Sequence, residues 1–299
     1  MILVQFWKGS YVALGVKTEA GVIDVEAVVE KIGVPGEFRP PATTVHTLLH
    51  SGVDGLADLA RYVEFVLGQA TDGIVLSEDS VRIAPCVTDP EKILCVGLNY
   101  RNHVKEWVFD ETAVPTIFSK FNNALSADGD VIALPAQSKQ VDYEAELALV
   151  IGKEARNVSE DEALNHVFGY FNANDLSSRD LQFQTTQWLV GKTCDGFCPI
   201  GPYLVTADEI PDPHQLGIRC FVNGEKLQDS NTSFMIFTIP KLISFLSEHM
   251  TLKPGDVILT GTPDGVALGM PEGQQKWLKA GDVVTVEIDR LGKLSNTMH

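Results

Sequence analysis

A dense series of short apolar segments between residues 93 and 288 restricts the fold more than any other feature of this sequence. Clusters of Gly, Pro, Asn or Asp separate most of them, and apolar runs of about four to eight residues between such clusters are typical of β-strands. The predicted strands are Ile93–Val96, Ile117–Lys120, Val131–Leu134, Glu144–Ile151, Phe168–Asn174, Gly201–Val205, Leu216–Val222, Val257–Thr260 and Val283–Ile288. The few helical patterns between them are Ser159–Val167, Ser177–Leu189 and Ile239–Ser247. This succession favours a mainly β fold with peripheral helices (α+β), a β-roll or barrel, over a doubly wound parallel sheet.

The first 85 residues differ from this pattern, because strand-like and helix-like segments alternate in them. Three short stretches predict strands, and two longer ones carry apolar residues at helical spacing. These segments are Met1–Trp7, Tyr11–Val16, Gly21–Asp24, Val25–Ile32 and Thr44–Leu67. The extended stretch Ser80–Pro90 ends in Asp89-Pro90, which is typical of a domain boundary. We therefore predict a small N-terminal α/β domain over residues 1–85 and a larger β domain over residues 86–299.

The charge of the chain limits its partners. Forty acidic and 23 basic residues give a formal net charge of −17. Binding to nucleic acid or to an anionic membrane surface requires a basic footprint, so we expect neither partner. No stretch approaches the ~20 apolar residues of a membrane span, and the N-terminus lacks the pattern of a secretory signal, so we expect a cytoplasmic protein. An anionic substrate would have to be captured by a few local cations.

The segment Val141–Gly152 carries the first sign of a functional site. Its apolar residues predict a strand that ends at Gly152, and side chains alternate between the two faces of a strand. Glu144 and Glu146 therefore point the same way, and two like charges beside apolar residues are costly unless a positive group lies between them. A bound divalent cation is the simplest such group, although scattered acids on a surface strand are the alternative in so acidic a chain.

A third carboxylate, Asp175, follows the predicted strand Phe168–Asn174. Two glutamates from one strand and an aspartate from another make an all-oxygen site, which suits Mg²⁺ or Mn²⁺ and leaves positions open for substrate and water. The sequence therefore predicts a site for one of these ions at Glu144, Glu146 and Asp175. We interpret two other pairs with ligand-like spacing, Cys194/Cys198 and His46/His50, as packing and helix-face residues, because each lacks the further ligands of a zinc site.

Three further groups of residues could act on a bound substrate. His103 and Glu106 lie three positions apart, so on a helix the carboxylate could orient the imidazole as a general base, or the pair could be an ordinary surface ion pair. Lys192, in a Gly-flanked and aromatic-rich loop, and Lys120, at the end of a strand, could each anchor a substrate carboxylate. The hydroxyl of Thr262, in a tight Gly-rich turn, could hold an oxyanion.

These motifs occur in an order that resembles the fumarylacetoacetate hydrolase family, over about two-thirds of the chain from Lys92 onward. The resemblance extends to the branch that contains bacterial-type acylpyruvases, oxo-diacid isomerases and decarboxylases. The matching motifs are Gly97-x-Asn99-Tyr100-x-x-His103-x-x-Glu106, Phe118-x-Lys120, Asp142-Tyr143-Glu144-x-Glu146-Leu147, Asn174-Asp175-x-x-x-Arg179-Asp180-x-Gln182, Gly191-Lys192 and Thr260-Gly261-Thr262-Pro263. Asn122-Asn123, Asp264 and Ala267 depart from the family pattern, which leaves the identity of the substrate open.

The resemblance implies a catalytic domain with a mixed β-roll core, a smaller N-terminal domain and a homodimer. It also implies roles for individual residues. Glu144, Glu146 and Asp175 would hold Mg²⁺ or Mn²⁺, and His103, Glu106 and Lys192 would be catalytic. The substrate-contacting positions would be Lys120, Arg179, Gln182 and Thr262.

Three functions are compatible with these residues. The first hypothesis is a metal-dependent hydrolase that cleaves a C–C bond in an acylpyruvate or related 2-oxo acid, with the His103–Glu106 pair activating water. The alternative is a lyase that decarboxylates oxaloacetate-type acids, or an isomerase of unsaturated oxo-diacids, through the same metal-stabilised enolate. A non-catalytic module that binds a cation or a diacid is the third hypothesis, and the presence of a potential base argues against it.

Overall fold

The structure is a computed structural model, and it describes residues 1–69, 74–101 and 114–299. The strands are β1 (Ile2–Lys8), β2 (Tyr11–Thr18), β3 (Gly21–Asp24), β4 (Val75–Leu76), β5 (Ile93–Gly97), β6 (Thr116–Lys120), β7 (Leu125–Ser126), β8 (Val131–Ile132), β9 (Val141–Asp142), β10 (Ala145–Ile151), β11 (Val167–Asn174), β12 (Ser177–Ser178), β13 (Cys198–Thr206), β14 (Gly217–Val222), β15 (Glu225–Asn231), β16 (Val257–Leu259), β17 (Val283–Ile288) and β18 (Lys293–Met298). The α-helices are Val25–Ile32, Val45–His50, Val53–Leu67, Glu160–Ala163, Arg179–Gln182, Leu189–Lys192 and Ile239–His249.

The strands form two large sheets, both of them open. The larger one has eleven strands in the order β4-β3-β2-β1-β13-β11-β10-β16-β5-β6, and β7 pairs with β13 beside this path. The second sheet has five strands in the order β15-β14-β17-β18-β8, and β9 and β12 form a separate pair. Most neighbours are antiparallel, whereas β16 and β5 are parallel, so the larger sheet is mixed. The mainly β fold with peripheral helices is confirmed, with open sheets and not a closed barrel.

Strand β10 lies at the centre of the core and is buried on both faces. Leu147 and Leu149 pack in a cluster that includes residues of the second sheet and of the Ile239–His249 helix. Ala148 and Val150 point to the other face and pack in a cluster with the N-terminal helices. A strand that is covered on both sides has a nearly continuous apolar sequence, as β10 has. Glu146 interrupts this sequence inside the core, so its carboxylate needs a compensating partner there.

The N-terminal segment is joined to the rest of the fold through the larger sheet. β1 is antiparallel to β13, with Ile2 opposite Val205 and Val4 opposite Tyr203. The helices Val45–His50 and Val53–Leu67 contribute to the same core cluster as residues of β10 and β11. The division into domains at residues 85 and 86 stays a prediction, because the sheet is continuous across it.

Two predicted helices differ from the structure. Thr44–Leu67 is interrupted at Gly52, whose φ of 73° is in the left-handed region that favours glycine. Ser177–Leu189 is wrong as one helix, because residues 184–187 are polar and exposed and offer no apolar face to bury. Two one-turn helices, Arg179–Gln182 and Leu189–Lys192, lie on either side of this loop.

In the described part of the chain no helix combines the length and the apolar character that a bilayer span requires.

Asn99 connects three segments below the site and is fully buried. Its side-chain amide donates to the carbonyls of Thr260 (2.7 Å) and Phe237 (3.0 Å), and its carbonyl accepts from the Phe237 N–H (2.7 Å). We expect Asn99→Ala to lower the free energy of unfolding by about 2–4 kcal/mol, because the buried partners lose their hydrogen bonds. Urea unfolding measures the change, with exposed Asn165→Ala as the matched control. Equal stabilities of the two variants would contradict this role.

Candidate active site and metal centre

The pairing of β10 with β11 brings the three predicted metal ligands together. Ala145 lies opposite Asn174 in this pairing, which places Glu144 and Asp175 side by side at the end of both strands. The Asp175 N–H donates to the Glu144 carbonyl (2.9 Å), and the Glu144 N–H donates to the Asn174 side chain (3.0 Å). One carboxylate oxygen from each of Glu144, Glu146 and Asp175 lies within 4.8 Å of the others, and all three residues are buried.

Two lysines bind to this group of carboxylates. The Lys192 Nζ donates to Glu144 Oε2 (2.6 Å) and to Asp175 Oδ2 (2.7 Å). The Lys120 Nζ lies 2.5 Å from Asp175 Oδ1 and also donates to the carbonyls of Leu176 and Lys192. Burial alone would lower the pKa of Lys192, but the charges of Asp175 and Glu144 outweigh burial and raise that pKa. The two carboxylates therefore favour the charged form of Lys192.

Arg179 lies next to this group and is bound on three sides. Its guanidinium donates to Glu144 Oε1 (2.6 Å), Asp142 Oδ2 (2.9 Å) and Gln182 Oε1 (3.0 Å). Burial opposes its charge, but Glu144 and Asp142 raise the pKa of Arg179. The guanidinium therefore fixes the orientation of the Glu144 carboxylate, and its role as a substrate contact stays a prediction.

The Glu146 carboxylate is held by a backbone N–H group. Its Oε2 accepts from the Gly261 N–H (2.7 Å). Gly261 has a φ of 99°, and a Cβ there would lie 2.8 Å from the Asn99 Cβ, so glycine is needed for this approach. Burial, with the charges of Asp175 and Glu144, raises the pKa of Glu146 well above its usual range. A further positive charge beside Glu146 would be needed to favour its ionised form.

Two buried residues that were not among the predicted site residues orient the site. Asp142 accepts from the N–H groups of Ala267 (2.8 Å) and Leu268 (3.1 Å) as well as from Arg179, so it connects the arginine to the loop after Thr262. Gln228 donates to the Thr262 hydroxyl (2.9 Å) and accepts from the Ala145 N–H (2.9 Å). Because the Thr262 oxygen accepts from Gln228, this hydroxyl can donate its own hydrogen toward a ligand. Asp142 stands in a family motif and could have been found there, whereas an isolated glutamine gives no signal.

Gly191 is required for the contact between the two short helices. A Cβ at this position would lie 2.4 Å from the Gln182 backbone nitrogen and 2.5 Å from the Ser178 carbonyl oxygen. Backbone atoms cannot move aside as a flexible side chain can, so we expect Gly191→Ala to lower the free energy of unfolding by about 1–3 kcal/mol and to displace Lys192. Thermal unfolding and activity measure both effects. Gly36→Ala is the control, since a Cβ there meets nothing within 4 Å; equal losses in both variants would refute the contact.

A pocket of about 340 Å³ opens onto the carboxylates. The described residues that line it include Glu144, Glu146, Arg179, Gln182, Lys192 and Thr262 from the predicted site. Lys120 is not among the lining residues, because its ammonium group is buried behind Asp175. His103 and Glu106 lie outside the described residues, so their role as a general base stays a prediction.

The carboxylates fit a hard divalent cation. Their oxygens are the ligands that Mg²⁺ and Mn²⁺ prefer, and two oxygens on opposite sides of a Mg²⁺ ion are about 4 Å apart, close to the spacing in the site. In the described part of the chain four carboxylates face three basic side chains: Asp142, Glu144, Glu146 and Asp175 against Lys120, Arg179 and Lys192. With all four carboxylates ionised, the formal charge of minus one would repel an anionic substrate, and a divalent cation would reverse its sign.

Comparison with known proteins identifies the family of this chain. Residues 92–299 match the family model described as fumarylacetoacetate (FAA) hydrolase, C-terminal. The chain belongs to the fumarylacetoacetate hydrolase family. The resemblance inferred from the motifs is thereby confirmed, and the chain has the fold of family enzymes.

Three similar proteins extend this comparison. Oxaloacetate tautomerase FAHD2A, mitochondrial, from Bos taurus is 42% identical over 304 residues, which cover 99% of this chain and 91% of the bovine one. The solved structure of fumarylacetoacetate hydrolase from Exiguobacterium antarcticum has a TM-score of 0.79 at 31% identity, and the match covers 100% of this chain and 99% of that one. Maleylpyruvate hydrolase from Sphingobium sp. SYK-6, in complex with manganese(II) and pyruvate, has a TM-score of 0.78 at 30% identity. The match covers 100% of this chain and 98% of the hydrolase.

The expected cytoplasmic location is contradicted by this comparison. The bovine relative carries a mitochondrial designation in its name, as do further relatives from Xenopus laevis and Homo sapiens. The expectation was wrong because it rested on the lack of a secretory signal pattern. The lack of that pattern does not distinguish the cytoplasm from an organelle that proteins reach by a different signal.

Proposed function

We propose that this protein is a metal-dependent tautomerase of oxaloacetate-type 2-oxo diacids, which interconverts the keto and enol forms of its substrate. The observation that carries the proposal is the buried triad of Glu144, Glu146 and Asp175 at the base of a pocket that also contains Lys192. The similarity to the bovine oxaloacetate tautomerase over almost the whole chain supports this substrate class. This reaction corresponds to the isomerase in the alternative hypothesis that the sequence suggested.

The triad would hold the cation, Mg²⁺ or Mn²⁺. When bound, that ion supplies a Lewis acid for the carbonyl and carboxylate oxygens of a 2-oxo acid, where the negative charge of an enolate develops. Similarity to the manganese-containing maleylpyruvate hydrolase structure supports a divalent ion, and the choice between Mg²⁺ and Mn²⁺ stays open.

The protein side chains would bind and orient the substrate. The Lys192 ammonium lies between Glu144 and Asp175 and can turn one of its N–H groups toward a substrate carboxylate. The Thr262 hydroxyl and the Gln182 amide line the same pocket and can donate to substrate oxygens. We propose that His103, supported by Glu106, removes and returns the proton at C3 of the substrate.

Hydrolysis of an acylpyruvate is the second candidate. The similarity to a maleylpyruvate hydrolase over the full chain favours it, as does the size of the pocket. It needs an activated water, which would attack the distal carbonyl, and the C–C bond that then breaks would leave its electron pair on pyruvate as an enolate. Decarboxylation of oxaloacetate needs neither water nor a base for the first step, so it remains a possible companion reaction.

One assay separates these reactions. The loss of the oxaloacetate enol is followed by its ultraviolet absorbance in the presence of Mg²⁺ and enzyme. The release of CO₂ is recorded in parallel. A panel of acylpyruvates is tested separately for loss of the diketone absorbance. We expect enzyme-dependent ketonisation well above the spontaneous rate, with CO₂ release much slower. Cleavage of an acylpyruvate at a higher kcat/KM than ketonisation would replace the proposal with the hydrolase.

We also propose that the protein is a homodimer, as the family resemblance implies. Light scattering after size exclusion is expected to give twice the 32.6 kDa mass of the chain. A monomer at micromolar concentration would contradict this proposal without affecting the proposed reaction.

A further inference from the structure

The pocket has two chemically different sides. Its charged side carries the carboxylates, Arg179 and Lys192. Its apolar side borders the charged side and is formed by Val96, Leu98, Phe118, Phe183 and Trp188. A substrate that is held by its 2-oxo acid end on the charged side therefore directs its remaining substituent toward hydrocarbon and aromatic rings.

Phe118 and Trp188 form the centre of the apolar side. Their ring centroids are 5.4 Å apart and their planes meet at 65°, an edge-to-face pair. The Lys192 Nζ lies 4.8 Å from the centroid of the Phe118 ring, so the aromatic surface begins next to the charged side. Gly97 makes space for the indole, since a Cβ at Gly97 would lie 2.7 Å from Trp188 Cζ3. These contacts build an aromatic surface at a fixed distance from the carboxylates.

The charges and the size of the pocket allow an uncharged, larger substituent on this side. Among the described lining residues the basic side chains are Arg179 and Lys192, and both are hydrogen-bonded to carboxylates. The volume of about 340 Å³ lies within the ~300–1,000 Å³ of sites that enclose drug-sized ligands. A four-carbon diacid fills only part of this space, and an aromatic substituent would add contacts with Phe118 and Trp188.

We infer that the site also tautomerises arylpyruvates, 2-oxo acids that carry an aromatic ring on C3. The inference rests on the proposed function, because it uses the same charged side for the 2-oxo acid end. In the step a C3–H bond breaks and its electron pair forms the C2=C3 double bond. The former C2=O π pair moves to oxygen, which takes up a proton. The reaction is an isomerisation and needs no co-reactant, and the aromatic ring stacks on Phe118 and Trp188.

Phenylpyruvate and oxaloacetate make a matched pair of substrates, since they differ only in the phenyl or carboxylate group on C3. Both are assayed as enols with the same Mg²⁺-loaded preparation. We expect kcat/KM for phenylpyruvate to reach at least about a tenth of that for oxaloacetate. Turnover of oxaloacetate without phenylpyruvate would overturn this inference and leave the proposed function intact. Turnover of neither substrate would overturn both, and turnover of phenylpyruvate alone would support the aromatic site while refuting oxaloacetate as substrate.

A substitution in the aromatic pair tests the site itself. We expect Trp188→Ala to lower the ratio of kcat/KM for phenylpyruvate over oxaloacetate by about tenfold or more, because a ring–ring contact and buried apolar area are lost. Val190→Ala is the control, since Val190 is exposed on the following helix and does not line the pocket. Oxaloacetate turnover reports whether the variant is folded. An unchanged ratio in a variant that still turns over oxaloacetate would contradict the inference.

Discussion

Glu146→Gln is expected to eliminate tight binding of Mn²⁺ and Mg²⁺ and to leave the fold intact. The substitution removes one of three carboxylate ligands and keeps the shape of the side chain. Loss of residues that only support a metal ligand costs about 10–100-fold in affinity, so loss of the ligand itself should weaken Mn²⁺ binding by at least about 100-fold. Calorimetric titration measures the affinity, and circular dichroism checks the fold.

The matched control for this variant is Glu91→Gln. Glu91 is an exposed glutamate that pairs with Lys253 at the surface, so its substitution should change neither metal affinity nor turnover. Oxaloacetate tautomerisation by Glu146→Gln should fall by about 10³-fold or more, because electrostatic stabilisation of the enolate is lost. Retained Mn²⁺ affinity in Glu146→Gln would remove this residue from the site.

The metal-free stability of the same variant should also depend differently on pH. Burial, with the charges of Asp175 and Glu144, raises the pKa of Glu146 in the folded state, so the folded protein holds a proton that the unfolded chain releases. The resulting stabilisation is complete below the unfolded pKa of about 4.3 and is lost as the pH rises through the folded pKa. In chelator, the wild-type protein should lose stability across this range, and Glu146→Gln should lose less. Parallel curves of stability against pH for the two proteins would contradict the assignment of the raised pKa to Glu146.

Lys192→Met is expected to reduce kcat/KM for oxaloacetate by about 10²–10⁴-fold at saturating Mg²⁺. The substitution keeps an unbranched side chain of similar length and removes the charge that contacts Glu144 and Asp175. A substrate carboxylate then loses the ammonium group that would bind it, so we expect KM to rise and kcat to fall. Steady-state kinetics over a range of oxaloacetate concentrations separates the two effects.

Two further measurements on Lys192→Met distinguish loss of a substrate contact from general damage. Removing one partner of a buried ion pair costs about 3–5 kcal/mol, and bound Mg²⁺ should recover part of this loss by neutralising the same carboxylates. The Mn²⁺ affinity should be unchanged or higher, because a competing positive charge is gone. A lower Mn²⁺ affinity, or an unchanged kcat/KM, would contradict the role of Lys192 as a cation for the substrate.

Much of this site could be predicted because strand geometry is regular. The two-residue period of a strand put Glu144 and Glu146 on one face, and the end of the next predicted strand added Asp175. The burial of the three residues and their proximity agree with that prediction. The strands that carry them were also predicted closely, since β10 and β11 differ by one residue at their starts from the predicted segments.

Other parts of the site depend on contacts between distant residues and give no local signal. Strand β15 is polar along most of its length, so it was not predicted, and its Gln228 reaches Thr262 only in the folded chain. The burial of Lys120 behind Asp175 follows from the pairing of β6 with β5 at the sheet edge. The loop between the two one-turn helices was predicted as helix, although it supplies Phe183 and Trp188 to the pocket.

A crystal structure of the protein with Mn²⁺ and oxalate tests the central claim most directly. Oxalate resembles the 2-oxo acid end of the substrate and cannot react, and the anomalous scattering of manganese locates the ion without ambiguity. We predict one Mn²⁺ ion bound by carboxylate oxygens of Glu144, Glu146 and Asp175, with oxalate bound to the ion and its free edge toward Lys192. Manganese located elsewhere, or oxalate bound in the pocket without the ion, would contradict the claim.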